Sequence, residues 1–400
     1  MHCFRKVTED LYWVGGSDRR LELFENIFPL TKGVSYNSYL LLDEKSVLFD
    51  TADHAIGHQF LENVQAALDG RSLDYLVVNH MEPDHCAMIE DLVLRYPDIK
   101  IIGNAKTFPM ISQFFDFDLD GRTVTVKEGD TFSCGKHTLH FVMAPMVHWP
   151  EAMMTYDETD KILFSADAFG TFGALNGNIF NDEIDFDRDW LDEARRYYTN
   201  IVGKYGMQVQ NVLKKAAGLD IRVICPLHGP IWRTDLDYII GKYDLWSRYE
   251  PEEKGVMIAY ASMYGNTENM AEIFAASLAE AGVKKIRMHN ISKTHISELI
   301  ADSFKYSHIV LAAPTYNNGI YPLMEHYLED MKALALQNRT AAILGNGTWA
   351  PQSTKLMAAK LNEMKNMRLL EASVTIKSTV KNSQREEIES LAGQIAEEVL

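Results

Sequence analysis

Within six residues, His80-Met81-Glu82-Pro83-Asp84-His85 offers four side chains of the kinds that bind metals. The run follows directly on Tyr75-Leu76-Val77-Val78-Asn79, whose apolar β-formers read as a buried strand. A loop leaving a strand end can aim alternate side chains at one point, and here it could aim two at each of two metals. Taken alone, such a run is as often a solvated acidic turn. Three more strand ends tip the balance. His148 follows Leu139 to Met143, Asp167 lies two residues past Ile162 to Ser165, and His228 lies just past Val223 to Pro226. A lone histidine in such a place is more often structural. Ligand-type residues at four strand ends of one region point to a metal site.

A second constellation lies near residue 265. Ser262-Met263-Tyr264-Gly265-Asn266-Thr267-Glu268 follows the apolar run that ends at Ala261 and opens a helix. Hydroxyls and backbone N–H groups at a helix N-terminus bind an anion without needing lysine. The run is neither Gly-x-Gly-x-x-Gly nor a Gly-Lys-Ser/Thr loop, so a dinucleotide fold and a P-loop are both disfavoured. Pro314-Thr315-Tyr316-Asn317-Asn318-Gly319 and Asn346-Gly347-Thr348-Trp349 follow two further apolar runs, His308 to Ala313 and Ala341 to Gly345. Tyr316 and Trp349 could equally be packing residues or stacking surfaces.

The elements that must position these groups change character along the chain. Up to about Tyr249 there are short strands with polar ends, among them Ser46 to Asp50, and helical stretches such as His58 to Asp69 and Trp190 to Ile201. That mixture predicts α/β with much antiparallel pairing. Arg248 to Lys254 is charged, holds Pro251 and reads as a linker. Beyond it, strands at Gly255 to Ala261, Lys285 to Met288, His308 to Ala313, Ala341 to Gly345 and Ala372 to Ile376 alternate with helix-length segments. One of these, Glu268 to Ala281, carries Met270, Ile273, Phe274 and Leu278 on one face. Alternation of this kind predicts a doubly wound parallel sheet, with the three loops at the carboxyl ends of its strands. The expected domains are 1–250 and 254–400.

The order His-x-Glu-x-Asp-His, then His, Asp and His, resembles the metallo-β-lactamase superfamily, specifically its flavodiiron branch. The three later loops resemble those of flavodoxin. The resemblance runs from Leu11-Tyr12-Trp13-Val14-Gly15 to the last helix. It implies an αββα sandwich followed by a flavodoxin-like doubly wound sheet. One iron would be held by His80, Glu82 and His148, the other by Asp84, His85 and His228, with Asp167 bridging a pair roughly 3.5–4 Å apart. Zinc hydrolases of the superfamily usually carry His where this chain has Glu82, and a hard carboxylate favours iron. FMN would be held by Ser262, Met263, Tyr264, Gly265, Asn266, Thr267, Pro314, Thr315, Tyr316, Asn317, Asn318, Gly319, Asn346, Gly347 and Trp349.

The resemblance further implies an oxidoreductase that reduces O2 to water, NO to N2O, or both, with FMN relaying electrons. No rubredoxin or flavin reductase follows the flavodoxin-like half, so a separate donor is expected: rubredoxin, a reduced deazaflavin or a flavin reductase. Head-to-tail homodimers, or dimers of them, would bring the flavin of one subunit to the irons of the other, with Trp149 and Trp349 near the junction. Two rival readings are a metallo-β-lactamase-type hydrolase fused to an electron-transfer module, and a non-enzymatic carrier or sensor. An open, carboxylate-bridged pair speaks against a purely structural metal.

Charge and cysteines bound the partners. A net charge of −17 argues against nucleic acid and anionic lipid. The four cysteines contain no Cys-x-x-Cys pair, so neither a zinc ribbon nor a rubredoxin site is encoded. The N-terminus has no apolar h-region, so a cytoplasmic protein is expected. Cys86 and Cys225 read as apolar fillers, and Asp50-Thr51 as support for the ligand loops. Of Tyr197 and Tyr198, either could reach the iron pocket.

Overall fold

The computed structural model describes residues 2–400. The chain divides into two compact units: one holds residues up to Tyr198 with Met207–Asp244, the other Thr199–Gly206 with Leu245–Leu400.

In the first unit, seven strands form one sheet in the order Arg5–Lys6, Leu11–Trp13, Tyr39–Leu42, Ser46–Phe49, Tyr75–Val77, Lys100–Gly103, Thr123–Thr125. Five form a second, in the order Thr131–Ser133, Thr138–Met143, Met153–Asp157, Ile162–Phe164, Val223–Cys225. The sheets share one core. Leu11, Tyr39, Phe49, Val77 and Ile102 of the first meet Leu139, Phe141, Met153, Phe164 and Cys225 of the second. The rings of Phe49 and Phe164 stack at 3.7 Å. Outer helices complete the αββα sandwich; Gly57–Leu68 turns Phe60, Val64, Ala67 and Leu68 inward, at the spacing of one helical face.

Register lines up the strand ends that matter. Ser46–Phe49 runs parallel to Tyr75–Val77, with Phe49 opposite Val77. Ile162–Phe164 runs parallel to Val223–Cys225, with Phe164 opposite Cys225. The strands stop one or two residues before their apolar runs do, because those residues already turn toward the ligand loops. The helix expected through Ile201 ends at Tyr197, and a π-helical turn, Tyr198–Val202, replaces its last part. Such turns are frequent at functional sites.

The second unit is a parallel sheet in the order Ile286–Asn290, Glu253–Tyr260, Tyr306–Tyr316, Arg339–Asn346, with Met367–Leu369 and Val374–Ile376 both pairing to the last. It is the doubly wound flavodoxin-like order. The fifth strand is interrupted, and only its second half was legible as a strand. The helix Asn266–Glu280 buries Met270, Phe274 and Leu278 against the sheet. The stretch expected to be a linker is mostly structured. Glu253 and Lys254 open the first strand, and Tyr249 is buried in the core of this unit. Arg339, itself buried, donates to the carbonyls of Tyr249, Ser303 and Phe304. Among the described residues, no helix is long and apolar enough to cross a membrane.

Candidate functional site

The ligand-type residues converge because each turn beyond a strand is held from behind. Asp50, at φ +54, accepts the backbone N–H groups of Asn79 and His80 and the side-chain amide of Asn79. Thr51 holds the carbonyl of His85 through its own N–H and its hydroxyl. These two residues thus support the loop as expected. Asp167 sits in a turn where Gly170 packs so closely that a Cβ would stand 2.9 Å from the Asp167 carbonyl oxygen and 3.1 Å from the Tyr197 ring. Only glycine fits there.

Two groups of atoms result. His80 Nε2, Glu82 Oε2, His148 Nε2 and Asp167 Oδ2 form one; Asp84, His85 and His228 form the other. In the first, Glu82 Oε2 lies 3.3 Å from His80 Nε2 and 2.9 Å from His148 Nε2, and Asp167 Oδ2 lies 3.5 and 3.2 Å from the same nitrogens. In the second, Asp84 Oδ2 is 3.3 Å from both His85 Nε2 and His228 Nε2, which are 3.0 Å apart. Asp167 Oδ1 is 3.1 Å from His85 Nε2, so its two oxygens face different groups. All seven predicted ligands, His85 included, are brought together and buried.

The atoms fit a metal. Bonds of about 2.0–2.2 Å to a first-row cation place neighbouring ligand atoms roughly 2.9–3.6 Å apart, the spacing found here. Both oxygens of Asp84 and Oδ1 of Asp167 are buried without a hydrogen-bond partner among the described residues. His228 Nδ1 donates to the Ser35 carbonyl at 2.7 Å, which leaves its Nε2 lone pair facing His85 Nε2. Burial alone would lower the pKa of His80, but the Asp167 charge and the bonds to Glu151 and Glu82 raise it well above its usual value. His148 is raised to about 9 by Asp167 and Glu82, against burial. His85 is raised to about 8 by Asp84 and Asp167, again against burial. Burial would raise Asp167, yet the neighbouring His85 and His80 hold it well below the usual carboxylate range.

Three residues around this pocket escaped the sequence reading or were left open by it. Tyr197, not Tyr198, reaches it: its ring lies 5.3 Å from that of His228, while Tyr198 packs on Tyr243 at 4.9 Å. The Tyr197 hydroxyl is buried and unpartnered among the described residues, and burial, then the charge of Asp167, holds its proton on. Glu25 sits at the tip of the hairpin joining Leu23–Phe24 to Phe28–Pro29, where Glu25 and Asn26 both take positive φ. Glu25 is exposed at this tip, yet partial desolvation and the neighbouring Glu82 push its carboxyl up to about 8. Glu151 Oε1 accepts from His80 Nδ1 at 2.9 Å. The Asn of Leu-Phe-Glu-Asn-Ile-Phe hints at the hairpin, but no local pattern marks Glu25 or Glu151. Cys86 and Cys225 are buried thiols whose pKa burial raises, as fillers should be.

In the second unit, a cavity of about 380 Å3 opens at the carboxyl ends of the strands. Ser262, Met263, Tyr264, Asn266, Thr267, Pro314, Thr315, Asn317, Asn318, Asn346, Gly347 and Trp349 line it, and among the described residues no lysine or arginine does. Gly265, Tyr316 and Gly319 do not line it. Gly265 caps the helix at φ +88 and donates to Ser262 Oγ. Tyr316 and Gly319 pair across a hairpin, and the Tyr316 ring meets Tyr321 edge-on. Asn346 faces the cavity, but its amide is engaged by Thr267 Oγ1 and by the Ser378 backbone. Thr348, Ala350 and Ser378 also line the cavity. Ser378 follows Val374–Ile376, so the strand-end rule itself would have found it. Trp349 and Tyr264 are 87% and 89% exposed, flat rings with no stacking partner among the described residues.

Comparison with known proteins agrees with this geometry. The ODP family beta lactamase model matches residues 34–229, and the flavodoxin model residues 258–397. An anaerobic nitric oxide reductase flavorubredoxin of Vibrio vulnificus is 33% identical, over 89% of this chain and 72% of its own length. An uncharacterised protein of Methanocaldococcus jannaschii is 32% identical, over 88% of this chain and 87% of its own. The rubredoxin oxygen:oxidoreductase of Desulfovibrio gigas superposes with a TM-score of 0.92 at 29% identity, over 99% of this chain and 98% of that one. The flavodiiron protein of Giardia intestinalis gives 0.93 at 25%, over 99% and 96%. Identity above 30% sustained along nearly nine-tenths of the sequence, with both halves matched in order, makes this chain a member of the flavodiiron family of oxidoreductases.

Proposed function

We propose that the protein reduces O2 to water, NO to N2O, or both, at two irons, with FMN passing in electrons from a separate donor. The observation that carries this reading is Asp167, whose Oδ2 faces His80 and His148 while its Oδ1 faces His85. One iron would be held by His80, Glu82 and His148, the other by Asp84, His85 and His228, with Asp167 shared. Glu82 supports iron over zinc, being a hard anionic donor. When bound, a diferrous pair and a reduced FMN supply two electrons each, together the four that O2 needs and more than the two that a pair of NO molecules needs.

The chain's own residues shape the pocket. Phe24 and Phe172 stand edge-on to each other, and Phe24 edge-on to His228, so water is excluded on that side. The Tyr197 hydroxyl keeps its proton and offers it as a hydrogen-bond donor inside the pocket. Ser262, Asn266 and Thr267, with the N–H groups opening Asn266–Glu280, suit the phosphate of FMN. Trp349 and Tyr264 suit its ring system. The names of relatives support a rubredoxin as donor; a reduced deazaflavin or a flavin reductase would meet the same need. We further propose a homodimer, or a dimer of such dimers.

The test is analysis of anaerobically purified protein, followed by turnover of O2 and NO with a chemical or protein reductant. About two irons and one flavin per chain are expected, with gas consumption that follows iron content. Hydrolysis of esters, thioesters or lactams by zinc-loaded protein, with no gas turnover by iron-loaded protein, would establish the hydrolase reading instead.

A further inference from the structure

We infer that Glu151 is a positioning residue that fixes the His80 imidazole and places extra negative charge behind one metal of the pair and not the other. The inference rests on the two-iron reading above.

Glu151 lies three residues past His148, in the turn before Met153–Asp157, and is 1% exposed. Its Oε1 accepts from His80 Nδ1 at 2.9 Å and from the Met81 backbone N–H at 2.8 Å. Its backbone carbonyl accepts from Asn104 Nδ2. The residue is therefore held at both ends, and the turn that carries one ligand also carries the support of another. Glu151 Oε2 has no hydrogen-bond partner among the described residues, so the carboxylate charge is not spent on a further donor.

The two histidines of the other group are backed differently. His228 Nδ1 donates to the uncharged carbonyl of Ser35, and His85 Nδ1 is unpartnered among the described residues. A carboxylate behind a ligating imidazole fixes its tautomer and makes it a stronger donor, and burial strengthens the charge effect. The metal at His80, Glu82 and His148 thus feels Glu82, its share of Asp167 and Glu151. The metal at Asp84, His85 and His228 feels Asp84, its share of Asp167 and, beyond His85, the buried Asp50. The two positions differ in that a carboxylate is hydrogen-bonded directly behind an imidazole only on the His80 side, and the higher oxidation state is favoured there.

The test uses full-length protein loaded with iron under anaerobic conditions, as wild type, Glu151→Gln and Glu151→Ala. Readouts are the rate of iron release to a chelator and the potential of the iron pair, followed by the paramagnetic signal of its half-reduced state. Glu151→Gln keeps an acceptor for His80 Nδ1 but loses the charge. It should retain both irons and raise the potential, with the flavin potential unchanged. Glu151→Ala loses the orientation too, and should release one iron per chain about 10–100-fold faster. Unaltered release and potential in both variants would overturn the inference while leaving the two-iron reading intact. Faster release from Glu151→Gln with an unmoved potential would overturn it too, reducing Glu151 to packing. Should Glu151→Ala fail to fold, the potential of Glu151→Gln decides alone. A wild-type chain that takes up no iron would sink the two-iron reading first, and this inference with it.

Discussion

At the scale of single residues, Asp167 has the position hardest to replace. Its oxygens face both ligand groups, and it is buried among three histidines whose charge it balances. Asp167→Ala should abolish gas reduction while leaving flavin content and reduction of the flavin by the donor near wild type, because the flavin cavity lies in the other unit. Asn266→Ala and Thr267→Ala should do the reverse, lowering flavin occupancy with iron retained. Iron and flavin analysis alongside turnover checks both; loss of flavin from Asp167→Ala alone would contradict the separation. The cluster was legible because each of its residues is a metal-binding type placed just beyond an apolar run. Glu25 and Glu151 were not, since what makes them part of the site is a neighbour 57 or 71 positions away in sequence. Asn346 has a further part that its type and place did not announce: its amide knits two loops together beside the cavity.

Elements carry a different kind of information, and His137 shows how they are tied. It sits in the turn between Thr131–Ser133 and Thr138–Met143. Nδ1 lies 2.8 Å from Asp157, at the end of Met153–Asp157, and Nε2 lies 3.3 Å from Asp10, just ahead of Leu11–Trp13. One imidazolium thus staples an edge of the second sheet to the first. Burial would lower its pKa, but the bonds to Asp157 and Asp10 raise it to about 9, from the ordinary 6.5. The sign follows: a raised folded-state pKa stabilises fully below pH 6.5, and that contribution is lost as pH rises through about 9. Thermal unfolding of wild type against His137→Gln should show a gap at pH 6 that has largely closed by about pH 9.5. A gap that stays constant would mean the staple does not depend on charge. Most strands named from the sequence sit on apolar runs, though Tyr39–Leu42, as apolar as any, was not among them. Met367–Leu369 escaped because its run is short and charged at Arg368. The helix at Leu191 gave way to a π turn for reasons of packing that no local pattern encodes.

For the whole molecule, the expected head-to-tail pairing sets its own experiment. Electron transfer falls steeply with distance, so a flavin must come close to the irons of one chain or the other. Mixing an Asp167→Ala variant with a Thr267→Ala variant, after dissociation and reassociation, should return part of the activity, because one junction in each mixed dimer joins a working flavin to working irons. Demonstrated subunit exchange with no recovery would rule out transfer across the dimer. The net charge of −17 makes the rate of docking with any charged donor depend on ionic strength. The order of the two units was readable from the switch between mixed and strictly alternating patterns, but the seam between them was not, since charge and a proline made Arg248–Lys254 look unattached.

Arg339 changes what that seam means for recombination. Its buried guanidinium has carbonyl oxygens for partners, one of them from Tyr249, whose ring packs against Phe304 and whose hydroxyl meets Gly203. Residues 245–253 therefore belong to the second unit as a plug belongs to its socket. A flavodoxin-like module transplanted from this chain at Lys254 would leave a buried cation one carbonyl short and an open hole beside Phe304. Any gene fusion that reuses the module intact has to inherit the plug with it.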